Sequence, residues 1–127
     1  LGLLIDGTGH EYDKVATRAA TLTQLGYEIS MIFVNSSLEV ALARNQKRTR
    51  SVQPALVKKS WKDVQANMGK YQSFFGPANF FIVDNNGVEQ DLLHISAKHI
   101  RRAIVKPVKN TIARAWIANE MKKKKRT

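Results

Sequence analysis

Ile29-Ser30-Met31-Ile32-Phe33-Val34-Asn35-Ser36-Ser37-Leu38-Glu39 is the stretch that sets the fold class of this chain. Ile29 to Val34 is an apolar, β-branched run, short enough to be a buried strand of a parallel sheet. Ser36-Ser37-Leu38-Glu39 then has the Ser-x-x-Glu form of a capping box, which satisfies free N–H groups at a helix start. Leu38, Ala41 and Leu42 would face inward from that helix. A strand running straight into a helix is half of a βαβ unit, and the flanking segments supply the rest.

Upstream, Glu11 to Leu25 carries Tyr12, Val15, Ala19 and Leu22 at spacings of three and four, an amphipathic helix, with Gly26 as its left-handed cap. Before it, Leu3-Leu4-Ile5-Asp6-Gly7-Thr8-Gly9 reads as a buried strand that delivers a carboxylate and a hydroxyl into a glycine-loosened turn. Downstream, Pro54 opens a helix whose inner stripe is Val57, Trp61, Val64, Met68 and Tyr71, and Gly76-Pro77 breaks it. Asn79 to Asp84 is a further apolar strand, closed by the turn-forming Asn85-Asn86-Gly87. This alternation predicts an α/β fold: a parallel sheet with flanking helices, its central strands including Leu3–Asp6, Ile29–Val34 and Phe80–Asp84. Functional groups gather at the carboxyl ends of such strands. Asp6 and Thr8, Asn35 and Ser36, and Asp84 and Asn85 all fall there. Leu92 to Val105 is helix-compatible, Pro107 interrupts it, and Asn110 caps a last helix through Ile112, Trp116 and Ile117.

At 127 residues and 43% hydrophobic the chain can bury one core, and with no cysteine it has no disulfide framework and no thiolate metal site. No apolar run approaches the roughly 18 residues of a membrane-spanning helix. The net charge of +11 is concentrated late. From Lys98 onward eleven Lys/Arg face one acid, Glu120, which leaves +10, against +1 for residues 1–97. Lys122, Lys123, Lys124, Lys125 and Arg126 form a run read as solvated and attractive to nucleic acid or other polyanions.

Arg44-Asn45-Gln46-Lys47-Arg48-Thr49-Arg50-Ser51-Val52-Gln53-Pro54 carries Arg44, Lys47, Arg48 and Arg50 and no acid. On a continuous helix Arg44 and Arg48 share a face that could grip one polyphosphate, although bases also gather at a solvated helix end beside its negative dipole. A carboxylate such as Asp6 at a strand end orients an acceptor hydroxyl or holds Mg²⁺ through a water, although the same Asp-Gly-Thr-Gly string also serves as a plain turn. His10 adjoins that turn, and the three histidines have no metal-ligand spacing. The phosphate-cradling Gly-x-x-x-x-Gly-Lys-Ser/Thr is absent: the Gly69-Lys70 pair lies inside the stripe-bearing helix.

Leu3-Leu4-Ile5-Asp6-Gly7-Thr8, a helix, Gly26-Tyr27-Glu28 leading into an apolar strand, then Arg44-Asn45-Gln46-Lys47-Arg48 with Pro54 beyond, resembles the P-loop kinases related to phage polynucleotide 5′-kinases and zeta toxins. The resemblance covers roughly residues 2–86. It implies a partial P-loop kinase-like domain over residues 1–90, with a lid at about 44–54, and a basic helical extension over 91–127. Arg44, Arg48 and Arg50 would contact the ATP phosphates, with Arg48 nearest the transferred group. Asp6 and Thr8 would face the acceptor, where zeta-like members usually have Glu-Gly-Thr. The family's phosphate loop and general-base Asp both precede the position matching Leu1, so the resemblance implies the C-terminal portion of a longer, ATP- and Mg²⁺-dependent enzyme, inactive by itself. The implied acceptor is a nucleic-acid 5′-end, a nucleotide or a sugar nucleotide. The implied setting is phage: the cytoplasm of a bacterial host, or the virion. The other expectation is a non-catalytic kinase-like protein that binds nucleic acid or a protein partner through its basic C-terminus.

Overall fold

The computed structural model describes residues 2–87 and 89–126; Leu1, where the reading of a longer polypeptide starts, lies outside the described residues. Five helices and two strands follow in the order α1 (Tyr12–Gln24), β1 (Met31–Asn35), α2 (Leu38–Lys47), α3 (Pro54–Phe75), β2 (Phe80–Asp84), α4 (Glu89–Val105) and α5 (Thr111–Lys125). The strands pair in parallel with Met31 opposite Phe80 and Asn35 opposite Asp84. The fold is therefore mixed α/β with a two-stranded parallel sheet and the expected helical crossover.

Alternation along a strand sends neighbours to opposite faces. Phe33 and Phe80 go to one face, where they meet Tyr71 of α3 with Tyr12, Val15, Val64, Met68 and Phe75 packed around them. Phe81 goes to the other, stacked at 4.7 Å on His99 of α4. Helices thus cover both faces. The stripe on α3 is the one its periodicity predicts, and Tyr71 at its C-terminal end is 0% exposed. Its ring lies 5.4 Å from Tyr12 and 6.4 Å from both Phe33 and Phe75. Pro54 stands in the first turn of α3 and Gly76 caps its end, as the sequence implies.

Three local expectations are corrected. Leu3–Asp6 is not a strand: residues 2–11 are irregular, and Leu4 is 88% exposed. A strand is stable only against another strand, and among the described residues β1 and β2 pair only with each other. The chain is instead anchored just beyond, where Gly9, at φ +73°, lets its carbonyl accept bonds from Asn67 Nδ2 at 3.2 Å and Tyr71 Oη at 2.7 Å. Second, the cap of α2 is Ser37, one residue later than the capping box predicts, and its hydroxyl accepts from Val40 N at 3.2 Å. Ser36 is held back because its carbonyl takes the Trp61 indole N–H at 2.8 Å. Third, Lys122 to Lys125, a solvated run to which the sequence assigns no element of its own, are exposed and continue α5. Cations are favoured in the last turn of a helix, next to its partial negative charge.

Among the described residues no helix is long and apolar enough to cross a membrane.

Candidate functional site

The carboxyl edge of the sheet is assembled from two turns, residues 35–37 after β1 and 84–87 after β2. Parallel register puts Asn35 and Asp84 side by side. Asn85 N donates to Asn35 O at 2.7 Å, continuing the ladder one step past the strands. Asp84 Oδ1 accepts from the backbone N of Asn86 at 2.9 Å and from its Nδ2 at 2.7 Å. The Asn86 side-chain oxygen then accepts Ser37 N at 2.8 Å, tying the second turn to the start of α2. From α3, Gln65 Nε2 donates to Asn35 Oδ1 at 2.7 Å. Arg44, in the second half of α2, reaches back across this edge and donates from Nη2 to Gly87 O at 3.2 Å. A guanidinium has five donors, so this bond leaves most of them for a further acceptor.

The arginines divide. α2 ends at Lys47, and Arg48 is its C-cap with extended backbone (φ −75°, ψ 143°). Arg44 and Arg48 therefore do not share a helix face, correcting that expectation. The cause is Asn45, which is buried on α2. Its Oδ1 accepts Val52 N at 2.9 Å and its Nδ2 donates to Val52 O at 2.7 Å, folding residues 48–53 back over the helix end. Arg48 and Arg50 are exposed on that loop, and among the described residues neither makes an ion pair or a side-chain hydrogen bond. The result is one arginine at the sheet edge and two on an adjoining clamped loop.

Asn45→Ala removes both bonds while Val52 keeps some access to water. We expect a loss of about 1–2 kcal/mol in denaturant unfolding, together with faster proteolysis in residues 48–53. An unchanged cleavage rate there would mean that the loop is held by something other than Asn45.

Asp6 and Thr8 lie on the exposed N-terminal segment, and no hydrogen bond or ion pair joins them to Arg44, Arg48 or Arg50. The Thr8 hydroxyl shares a hydrogen bond with His10 Nδ1. A groove beside this segment is lined by His10, Tyr12, Lys14, Asn67 and Lys70 and holds none of Arg44, Arg48 and Arg50. Glu11 at its rim has its carboxyl held below the ordinary range by a hydrogen bond and the charge of Lys14, 2.6 Å away. Lys123 pairs with Glu120 at 2.7 Å, and Lys122, Lys125 and Arg126 are exposed on and beside the last turn of α5.

No protein-family model, curated protein or solved structure matches this chain.

Asn45, Gln65, Asn67 and Asn86 were not singled out in the sequence as site residues. Each is an amide whose partners lie on another segment, Val52, Asn35, Gly9 and Ser37 respectively. A hint existed for Asn45 and Asn67 alone, since a polar residue inside an otherwise helical pattern needs a partner when buried.

Proposed function

We propose that this chain is the lid-bearing C-terminal portion of an ATP-dependent phosphotransferase with a P-loop kinase-like fold, acting on a nucleic-acid 5′-end, a nucleotide or a sugar nucleotide. The observation that carries this reading is Arg44 at the carboxyl edge of a parallel strand pair, next to a clamped loop presenting Arg48 and Arg50. Planar guanidinium groups match phosphate oxygens two at a time, and phosphoryl transfer is catalysed chiefly by positioning and by neutralising charge.

In this reading Arg44 binds the nucleotide phosphates from the sheet edge. Arg48 and Arg50 reach the transferred group from the loop, exchanging water for phosphate oxygens. Asp6 and Thr8 are acceptor-side groups, and their segment would turn toward the arginines from its anchor at Gly9. Among the described residues there is no group of three or more His, Cys, Asp or Glu able to hold a metal ion. Mg²⁺ bound together with ATP would supply charge neutralisation for the phosphates. Of this chain's residues only Asp6 would approach it, through water.

The test is transfer of labelled phosphate from ATP to a 5′-hydroxyl oligonucleotide, a nucleoside monophosphate and a sugar nucleotide. It uses the complete polypeptide, whose sequence is first read for a phosphate-binding loop. Transfer to one acceptor class supports the reading. A complete polypeptide with no such loop, or no transfer to any of the three, overturns it.

A further inference from the structure

The last helix holds a feature that phosphoryl transfer does not use. α5 is fastened at its start and little elsewhere. Asn110 caps it, its Oδ1 accepting from Ile112 N at 3.0 Å and Ala113 N at 3.2 Å, while its Nδ2 donates to Thr23 O at 2.8 Å. The Glu28 carboxylate accepts the backbone N–H groups of Lys109 and Asn110. Gly26, at φ +103°, brings its backbone so close that a Cβ there would sit 3.4 Å from Ala113 N. Past this first turn α5 has no extended packing on another helix or strand. Trp116 is 65% exposed.

On a helix of 3.6 residues per turn, Trp116, Asn119 and Lys123 fall on one side, with Arg126 close to the same line beyond the helix end. That line places an aromatic face, an amide and two cations over about 15 Å. Arg114, Lys122, Lys125 and Arg126 make no side-chain ion pair or hydrogen bond among the described residues. The only acid on α5 is Glu120.

We propose that α5 is a binding arm for single-stranded nucleic acid, with the Trp116 indole stacking on a base and Lys123 and Arg126, on the same side, contacting phosphates, Lys123 exchanging its exposed bond to Glu120 for a phosphate oxygen. A stacked aromatic beside a row of cations is how sequence-tolerant single-strand binding is built. The charge is complementary to a polyanion: the segment from Lys98 onward carries +10 of the chain's +11. An anionic membrane fits less well. A helix lying in a bilayer surface needs one side free of charge. Four consecutive lysines at 100° steps occupy every side of the last turn, and Asn119 interrupts the side that holds Ile112 and Trp116.

The experiment is fluorescence anisotropy of a labelled oligothymidine titrated with the full chain, without ATP, between about 50 and 200 mM salt. Leaving ATP out separates this arm from the phosphotransferase reading, which can fail or hold independently. The expected result is saturable binding that weakens with salt. Changing Lys123 and Arg126 together to Gln should reduce the slope of log affinity against log salt by about 1.4. Trp116→Ala should weaken binding about tenfold with the slope unchanged, and Trp116→Phe should restore most of it. These side chains are exposed, and circular dichroism checks that the variants keep their helices. Absence of binding overturns the proposal, as does an affinity unchanged in Trp116→Ala. Equal or tighter binding to phosphatidylserine vesicles or to polyglutamate overturns it in favour of a membrane or an acidic protein.

Discussion

On the phosphotransferase reading proposed above, Arg48→Ala is expected to lower kcat for phosphoryl transfer by on the order of a thousandfold, with a smaller change in KM. Arg48 is exposed at the C-cap of α2, and among the described residues its side chain makes no ion pair or hydrogen bond. Its guanidinium is therefore free for an anion, and in that reading it meets charge that builds up on the transferred group, an interaction that belongs to the transition state more than to bound ATP. Arg48→Lys should recover little, because an ammonium cannot reproduce a planar two-pronged contact. Arg44→Ala should behave differently. Arg44 already holds Gly87 O, so its loss loosens the 84–87 turn and raises KM more than it lowers kcat. Steady-state kinetics of the complete polypeptide carrying each change is the measurement. Full activity in Arg48→Ala would reduce the arginine loop to a solvated helix end and remove the strongest residue from the kinase reading.

The second large effect concerns stability. Tyr71→Ala should cost about 3–5 kcal/mol, the range for emptying a buried aromatic site. Tyr71 has 0% exposure and contacts the rings of Tyr12, Phe33 and Phe75. Its hydroxyl also donates to Gly9 O, so the substitution releases the N-terminal segment as well. Such a loss is a large part of the stability of an ordinary domain. Burial, with a smaller contribution from Tyr12, raises the Tyr71 pKa above its ordinary value. Folding thus favours the neutral phenol. The stability it supplies is complete below about pH 10 and is lost as pH rises through the raised folded-state pKa. Tyr71→Phe should keep most of the packing, cost about 1 kcal/mol for the hydrogen bond, and flatten that alkaline decline. Denaturant unfolding at neutral and alkaline pH reads both effects. A midpoint in Tyr71→Ala close to that of the wild type would mean that the aromatic cluster does not organise the core.

Periodicity and punctuation alone determined the elements whose signal is local. The 3.6-residue stripes mark α1 and α3, Gly26 and Gly76 mark their ends, Pro54 marks a start, and the short β-branched runs mark β1 and β2. Each reflects the conformational preference of residues close together in sequence, which does not depend on what lies across the fold. Tertiary structure decided the rest. Leu3-Leu4-Ile5 has the composition of a strand but no strand beside it, and pairing is a property of two segments. The end of α2 is set by Asn45 catching Val52 seven residues on, which takes Arg48 off the face it would have shared with Arg44. The carboxyl edge is held by amides and by Asp84 meeting backbone and side chains from distant segments, Asn86 with Ser37 and Gln65 with Asn35 among them. An amide looks the same in sequence whether it is solvated or buried. Its role is decided by the partner that folding brings to it, because a buried polar group must be satisfied.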